Sequence, residues 1–279
     1  MTLKQTFSEM AQRKARFAMN APATREIARK ALDCLDFTSL RGNEDDAAIF
    51  ELCDTAKYNH LFSVCLYPDH VSTAARALKE SGVVIATVIN YPHGNKRTLS
   101  EEDASPESTA RDVSRAIAQG AGQIDIVLPH EAYRAGRKNY ARSLLAACKT
   151  ACAGKVKMKV ILETASFESL DDLGAACRFA ISCGADCLKT STGKHPNGGA
   201  DLSRAAVLFD EAHRSDLTGV KISGGITTVE QCAQYIMLAR SIRGWNSINP
   251  SLFRIGGSNI LKPLLNTLQY QPAEMEPSL

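Results

Sequence analysis

Short apolar runs rich in Val, Ile and Leu alternate along the chain with longer segments in which apolar residues recur at helical spacing. Eight runs can be counted, and the residues between them suffice for a loop, a helix and a return. The runs cover residues 34–38, 61–66, 83–90, 123–128, 156–163, 186–189, 217–222 and 252–256. Such alternation is typical of strand–helix units that build a parallel sheet. Eight units predict a (β/α)8 barrel, the TIM-barrel form of the α/β class, as one domain over residues 31–270.

The segments between the runs carry recognisable helix starts. Ser105 precedes a proline at the first helical position, and Asp201 and Thr228 each precede an amphipathic segment. Serine, threonine and aspartate are favoured at these positions because their side chains accept hydrogen bonds from the first backbone N–H groups of a helix. We expect the apolar faces of these helices to pack against the outside of the barrel.

The two ends of the chain differ from the barrel in composition. Residues 1–30 hold seven Lys or Arg and only two acidic residues, Glu9 and Glu26. A basic, acid-poor start is compatible with a transit peptide, but we expect a solvated helical extension. The tail at 271–279 is expected to be disordered.

Charge and hydropathy exclude several classes of function. The whole chain of 279 residues has a formal net charge of +3, and the part after residue 30 is near neutral. Binding to nucleic acid needs a clustered basic face, so neither a nucleic acid nor a membrane surface is an expected partner. No apolar stretch reaches membrane-spanning length.

Cysteine and histidine usage indicates neither disulfides nor a metal centre. The nine cysteines form no C-x-x-C pair, and no two of the six histidines lie at metal-ligand spacing on a helix. Buried reduced thiols are therefore expected, which favours the reducing cytoplasm. A metal-dependent enzyme is disfavoured, no dinucleotide fingerprint is present, and no cofactor is expected.

In a (β/α)8 barrel the catalytic groups gather at the carboxyl ends of the strands. The polar residues that end the runs are Thr38, Cys65, Asn90, Asp125, Glu163, Lys189 and Lys221. One polar residue at a strand end is weak evidence, because loops begin there. Three ionisable groups around one axis are stronger evidence, since buried charges must be paired, neutralised or functional.

Lys189 and Lys221 end neighbouring runs, so their ammonium groups should repel each other inside the barrel. Losing the proton of Lys189 relieves the repulsion and yields an amine that can attack a carbonyl group. Lys221 would stay charged and lower the pKa of Lys189, and Asp125 would move protons through a water. The alternative is a buried Asp–Lys ion pair that only stabilises the barrel.

Two glycine-rich turns predict a phosphate site. Ser223-Gly224-Gly225-Ile226 follows the seventh run, and Ile255-Gly256-Gly257-Ser258-Asn259 follows the eighth. Barrels commonly bind phosphate there on backbone N–H groups, and glycine lets the backbone approach the anion. Lys194 could add a charge from the sixth loop. With the two lysines, this predicts Schiff-base chemistry on a phosphorylated carbonyl compound.

These segments resemble the deoxyribose-phosphate aldolases. Leu188-Lys189-Thr190-Ser191-Thr192-Gly193-Lys194 is similar to the Schiff-base motif of that family. The resemblance runs from about residue 35 to residue 265 and includes segments at 35–38, 64–68, 86–94, 124–127, 159–164 and 253–256. Each segment alone would be unspecific, whereas together they are highly specific.

The resemblance implies a metal-free aldolase that reversibly cleaves 2-deoxy-D-ribose 5-phosphate to acetaldehyde and D-glyceraldehyde 3-phosphate. It implies that Lys189 forms the Schiff base, that Lys221 tunes it and that Asp125 is the acid/base. Lys159 matches a charged interior position near Asp125 and, with the strand-end residues Asn90, Thr38 and Cys65, is expected to bind substrate. The phosphate site would comprise Gly193, Lys194, Gly224, Gly225, Gly256 and Ser258.

Some positions depart from the family pattern. Ile222-Ser223 precedes the Gly-Gly pair where family members often have proline-alanine or alanine-serine, and Thr227 stands where some have arginine. Some members end in a tyrosine that transfers a proton, for which Tyr270 is a weak substitute. A related Schiff-base aldolase or acyl-transferring enzyme acting on another phosphorylated sugar, and a catalytically silent sugar-phosphate binder, remain alternatives. A homodimer is suggested by fold-level analogy alone.

Overall fold

Eight parallel strands close into a barrel in the computed structural model, which describes residues 7–94 and 104–269. Each strand pairs with its neighbours in chain order, and β1 pairs with β8 to complete the ring. The strands are β1 (Leu35–Thr38), β2 (Ser63–Leu66), β3 (Val84–Ile89), β4 (Gln123–Val127), β5 (Lys157–Ile161), β6 (Cys187–Lys189), β7 (Gly219–Ser223) and β8 (Phe253–Gly257). The predicted (β/α)8 barrel is confirmed.

Helices surround the barrel on the outside. They are α1 (Phe7–Ala18), α2 (Arg25–Asp33), α3 (Asp46–Tyr58), α4 (Val71–Ala77), α5 (Pro106–Ala118), α6 (His130–Arg134), α7 (Lys138–Cys152), α8 (Leu170–Ser182), α9 (Leu202–His213), α10 (Val229–Arg243) and α11 (Leu261–Gln269). The side chains of Ser105, Asp201 and Thr228 cap α5, α9 and α10, as predicted. None of the helices in the described ranges is long and apolar enough to cross a membrane.

Alternation along each strand divides its side chains between two environments. On β4, Ile124 and Ile126 belong to the large apolar core between the strands and the helices, while Asp125 between them points into the barrel. The same alternation on β5 places Met158 and Val160 in that core and Lys159 inside. The strand pattern alone therefore determines which residues can meet at the barrel axis.

The basic N-terminal segment contains the two helices α1 and α2. Ala11, Ala15 and Ala18 of α1 are buried, and the helix contacts α9 and α10, where Lys14 forms an ion pair with Asp210. The expectation of a solvated extension is therefore wrong for α1: one face packs on the barrel helices. The tail at 271–279, which was expected to be disordered, lies outside the described residues, and so does Tyr270.

Candidate active site

Six charged side chains meet inside the barrel, and none of them is more than 3% exposed. They are Asp36, Asp125, Lys159, Lys189, Lys221 and Arg254, contributed by β1, β4, β5, β6, β7 and β8. Four are cationic types and two are anionic, so the full set of charges would leave the interior with an excess of positive charge. Loss of a proton from one lysine reduces that excess.

Asp125 lies at the centre of the lysines. Its Oδ1 accepts a hydrogen bond of 2.7 Å from Nζ of Lys159. Its Oδ2 accepts one of 2.9 Å from Nζ of Lys189 and one of 2.8 Å from Nζ of Lys221. The structure thus brings the three sequence-predicted catalytic residues, together with Lys159, into one hydrogen-bonded group.

The two lysines that share Oδ2 of Asp125 differ in their acidity. Burial lowers the pKa of Lys189, and the charge of Lys221 lowers it further, against the opposing effect of Asp125. Burial alone would lower the pKa of Lys221 too, but the Asp125 carboxylate and the nearby Cys65 and Cys187 together outweigh burial and raise that pKa. Burial alone would raise the pKa of Asp125, yet the three ammonium groups hold that pKa well below its usual range. Lys189 is therefore the lysine of this pair that gives up its proton more readily.

Asp36 and Arg254 extend this group and were not identified from the sequence. Asp36 forms ion pairs with Lys221 and Arg254, and it accepts a hydrogen bond from Ser63. The guanidinium of Arg254 lies 4.2 Å from the ring centroid of Phe62. Both charged residues sit inside apolar runs of the sequence, and a charge inside a buried strand is the signal that could have revealed them.

A cavity of about 270 Å³ opens above Lys189 at the carboxyl ends of the strands. Its lining includes Thr38, Lys189, Gly193, Lys194, Gly224, Gly225, Gly256 and Ser258, together with Arg41 and Tyr91. All six residues predicted to bind phosphate therefore line the same cavity as the predicted nucleophile. Lys194 is exposed at its mouth, where its charge can reach an entering anion.

Close contacts require glycine at two positions of this cavity. Gly224 has a φ of +98°, and a Cβ there would stand 2.7 Å from Cα of Gly199. A Cβ on Gly256 would stand 2.9 Å from Cε of Lys221, so this glycine leaves room for the lysine. Within the described residues, the backbone N–H groups of Gly225 and Ser258 have no protein acceptor, which leaves them available to an anion.

The four residues predicted to bind substrate have different positions. Thr38 lines the cavity, and Lys159 contacts Asp125 below it. Cys65 is fully buried in an apolar patch on the β2–β3 side of the barrel. The amide of Asn90 donates to the carbonyl of Gly94 and to Thr109, so the structure does not bring this side chain to the cavity.

The apolar patch gives the cavity region a second chemical character. Leu40, Cys65, Ala86 and Val88 are buried there, and Tyr67 and Tyr91 pack against them. The rings of the two tyrosines meet edge to face with centroids 5.8 Å apart. The charged cluster thus occupies one side of the barrel and apolar groups the other.

Glu163 supports the loop after β6, which carries the predicted phosphate-site residues Gly193 and Lys194. Its backbone has a left-handed φ of 51°, and its Oε2 accepts hydrogen bonds from the backbone N–H and the hydroxyl of Thr192. The hydroxyl of Tyr91 donates to the carbonyl of Thr192 over 2.7 Å. These contacts hold Thr192 directly before Gly193 and Lys194.

Cysteines and metal-ligating groups do not form a second site in the described ranges. All nine cysteines are buried and free. No group of three His, Cys, Asp or Glu residues in the described part of the chain has a geometry that could hold a metal ion.

A comparison with protein-family models identifies the family. The model described as DeoC/LacD family aldolase matches residues 30–244, which include β1 to β7 and the buried Lys159, Lys189 and Lys221. The chain belongs to this family. The buried lysines and carboxylates described above therefore lie inside the barrel of a DeoC/LacD aldolase.

Solved structures share the fold of this DeoC/LacD aldolase. A protein from Toxoplasma gondii ME49, provisionally named a deoxyribose-phosphate aldolase, matches with a TM-score of 0.78 and 20% identity over 88% of this chain and 95% of that chain. One from Coccidioides immitis, named with the same reservation, matches with 0.73 and 24% over 95% and 98%. The deoxyribose phosphate aldolase of Aeropyrum pernix, described as tetrameric, matches with 0.71 and 20% over 92% and 98%. At these identities the likeness establishes the fold.

Proposed function

We propose that this aldolase reversibly cleaves 2-deoxy-D-ribose 5-phosphate to acetaldehyde and D-glyceraldehyde 3-phosphate through a Schiff base on Lys189. One observation carries the proposal: a buried lysine with a lowered pKa lies beneath a cavity whose rim has glycine turns with unpaired N–H groups. An amine nucleophile and an anion site in one cavity suit a phosphorylated aldehyde. The three structural relatives bear the name of this activity.

The chemistry begins with the neutral form of Lys189. One N–H of the amine donates to Asp125, which leaves the lone pair of Nζ free to attack the aldehyde carbon C1 of the open-chain sugar. Loss of water gives an iminium ion, which draws electrons from the C2–C3 bond. When the C3 hydroxyl loses its proton, that bond breaks. C3 leaves as the aldehyde of glyceraldehyde 3-phosphate, and the electron pair passes to C2 of an enamine.

The second product follows from the enamine. Protonation of C2 restores the iminium, and water then releases acetaldehyde and the free amine of Lys189. We assign these proton transfers to Lys221 and Asp125, which share a hydrogen bond of 2.8 Å beside Lys189. Lys159 holds the other oxygen of Asp125 and so fixes the plane of the carboxylate.

The substrate phosphate would bind at the rim. Gly193 and Lys194 approach it from the β6 loop, Gly224 and Gly225 from the β7 loop, and Ser258 from the β8 loop. Backbone N–H groups bind a phosphate without the cost of ordering long side chains, and Lys194 adds a charge.

Borohydride trapping tests the proposal. Reduction of the iminium in the presence of 2-deoxyribose 5-phosphate should attach a stable adduct to Lys189, which peptide mass spectrometry locates. A Lys189→Met variant should acquire no adduct. Lys149→Met, which changes a lysine paired with Asp186 outside the barrel, should be labelled like the wild type. Unphosphorylated 2-deoxyribose should trap much less efficiently. An adduct at another residue, or none, would refute the assignment of Lys189.

A second candidate keeps the chemistry and changes the sugar. The matching family is described by two aldolase names, DeoC and LacD, so another phosphorylated sugar is the alternative substrate. Release of acetaldehyde separates the two. Trapping of the sugar without acetaldehyde formation would favour the alternative.

The cellular setting is part of the proposal. Buried free thiols at all nine cysteines support the reducing cytoplasm as the location. We keep a homodimer as the proposed assembly, whereas the Aeropyrum pernix relative is described as tetrameric. Light scattering after size-exclusion chromatography distinguishes these states.

A further inference from the structure

The hydrogen bonds of Asp125 do not by themselves distinguish Lys189 from Lys221. Both lysines donate to the same oxygen, over 2.9 Å and 2.8 Å. Both are buried inside the barrel, and they face each other across β6 and β7. Two amines in such matched positions would share the loss of one proton, and either could then attack an aldehyde.

Asp36 removes this equivalence. Asp36 forms an ion pair with Lys221 and lies 4.0 Å from Nζ of Lys159. Among the described residues, Lys189 does not come within 4.0 Å of the Asp36 carboxylate. Opposite charges therefore alternate along a series of ion pairs, in the order Lys189, Asp125, Lys221, Asp36 and Arg254. Lys221 contacts two carboxylates, and Lys189 contacts one.

The two residues at the ends of this series differ in chemistry. Arg254 stands at one end, and a guanidinium remains protonated in proteins. Lys189 stands at the other end and can lose its proton with the loss of one carboxylate contact. Lys221 in the middle would lose the attraction of two carboxylates at once. Ser63 and Arg254 also hold Asp36 in place, because both contact its carboxylate in a site without solvent exposure.

We propose that Asp36, which Ser63 holds in place, selects which of the two lysines keeps its proton and so makes Lys189 the nucleophile. Asp36 acts through Lys221 and is a positioning residue. The inference rests on the proposed function only in that Lys189 is the Schiff-base residue.

Reductive methylation measures which of the two lysines is neutral, and it needs no substrate. A neutral lysine amine condenses with formaldehyde to an iminium, and cyanoborohydride reduces that to a methylamine, which peptide mass spectrometry quantifies for each lysine. In the wild type we expect methylation of Lys189 at a lower pH than that of Lys221. The reverse order would overturn the proposal.

Three variants test the role of Asp36. Asp36→Asn removes one of the two carboxylates from Lys221, and we expect the ratio of Lys221 to Lys189 methylation to rise at least tenfold. Arg254→Met removes the far cation, while Ser63 still holds Asp36 beside Lys221, so the ratio should stay at the wild-type value or fall. A general loosening of the barrel would instead raise the ratio in both variants.

The double variant Asp36→Asn/Arg254→Met covers the case in which Asp36→Asn does not fold. It removes both charges of the pair, so no unpaired guanidinium remains buried. The ratio should again rise at least tenfold, and circular dichroism should report a folded barrel. A ratio that is unchanged in a folded Asp36→Asn or double variant, or that rises equally in Arg254→Met, would overturn the proposal.

These outcomes are separable from the failure of the proposed function. If 2-deoxyribose 5-phosphate leaves no adduct on Lys189 while the methylation ratio still responds to Asp36, the substrate assignment fails and the selection stands. If the adduct forms while the methylation ratio is unchanged in the Asp36 variants, the proposed function stands and the proposed selection by Asp36 fails.

Discussion

Replacing Lys221 with methionine should move the activity of Lys189 to higher pH. The change removes one buried positive charge and conserves most of the side-chain volume. Asp36 keeps Arg254 and Ser63 as partners, and Asp125 keeps Lys159 and Lys189, so no carboxylate is left unpaired. We therefore expect a folded protein.

The size of the effect follows from the position of the two ammonium groups. Both nitrogens lie within 3 Å of the same oxygen of Asp125. At a separation of about 5 Å and an effective dielectric constant of about 20, two unit charges repel by roughly 3 kcal/mol. Removing that repulsion raises the pKa of Lys189. At any pH below the wild-type pKa of Lys189, the fraction of neutral amine should fall by roughly a hundredfold.

The assay is the pH dependence of kcat/KM for acetaldehyde release from 2-deoxyribose 5-phosphate. The limb that rises with the deprotonation of Lys189 should move to higher pH in Lys221→Met. A lower plateau at high pH would report the lost proton transfer separately. Lys149→Met is the control, because its pair with Asp186 lies outside the barrel, and its profile should match that of the wild type.

The pH at which kcat/KM rises in Lys221→Met tests whether the charge of Lys221 lowers the pKa of Lys189. If the limb stays where it is in the wild type, Lys221 does not tune Lys189 by its charge, and the electrostatic reasoning fails. The trapped adduct on Lys189 would still establish the nucleophile in that case.

Two further changes test the loops around the cavity. Gly224→Ala forces a Cβ against Gly199 and a side chain into a positive φ, so unfolding in urea should show a loss of about 1–3 kcal/mol. KM for the phosphorylated substrate should rise, whereas Gly154→Ala, with positive φ and open space, should leave KM unchanged. Burial alone would raise the pKa of Glu44, but hydrogen bonds from Ser39 and the backbone of the β1–α3 loop together outweigh it and lower this pKa from 4.5 to about 2. The carboxylate thus stabilises the fold above its unfolded pKa and loses that contribution as the pH falls towards 2. Melting temperatures measured across this range should depend less on pH in Glu44→Gln, and an equal dependence would contradict the role of Glu44.

The strands could be predicted from the sequence because a parallel barrel buries both faces of its strands. Each of the eight apolar runs coincides with a strand to within about two residues at either end. The convergence of Asp125, Lys189 and Lys221 followed from the same reasoning, since the carboxyl ends of the strands share one rim.

Other parts of the site depend on geometry that the residue pattern does not carry. Asp36 and Arg254 lie inside their strands, whereas Thr38 and Gly256 end the corresponding apolar runs, so attention to the ends of the runs overlooked them. Asn90 does end a strand, but its φ of 53° accompanies a side chain turned toward Gly94 and Thr109. The handedness of one residue cannot be read from a hydrophobic pattern.

The packing of α1 was missed for a different reason. Its buried face consists of Ala11, Ala15 and Ala18, and alanine adds little to a hydrophobic pattern. The basic residues between them dominate the composition of the segment. Small residues allow the close approach of α1 to α9 and α10, which is a property of shape rather than of hydropathy.

The pairing of β1 with β8 has a consequence for how the protein acquires its activity. Asp36 comes from β1, while its partners Lys221 and Arg254 come from β7 and β8; the bond from Arg254 to Ser63 joins residues 191 positions apart. Contacts between such distant parts of a chain form only after a large loss of conformational entropy. The charges can therefore assemble only when the last strand closes the ring, and a chain still emerging from the ribosome without β8 has no complete active site. Recovery of aldolase activity during refolding should consequently report ring closure itself, and it should lag behind the appearance of helical structure.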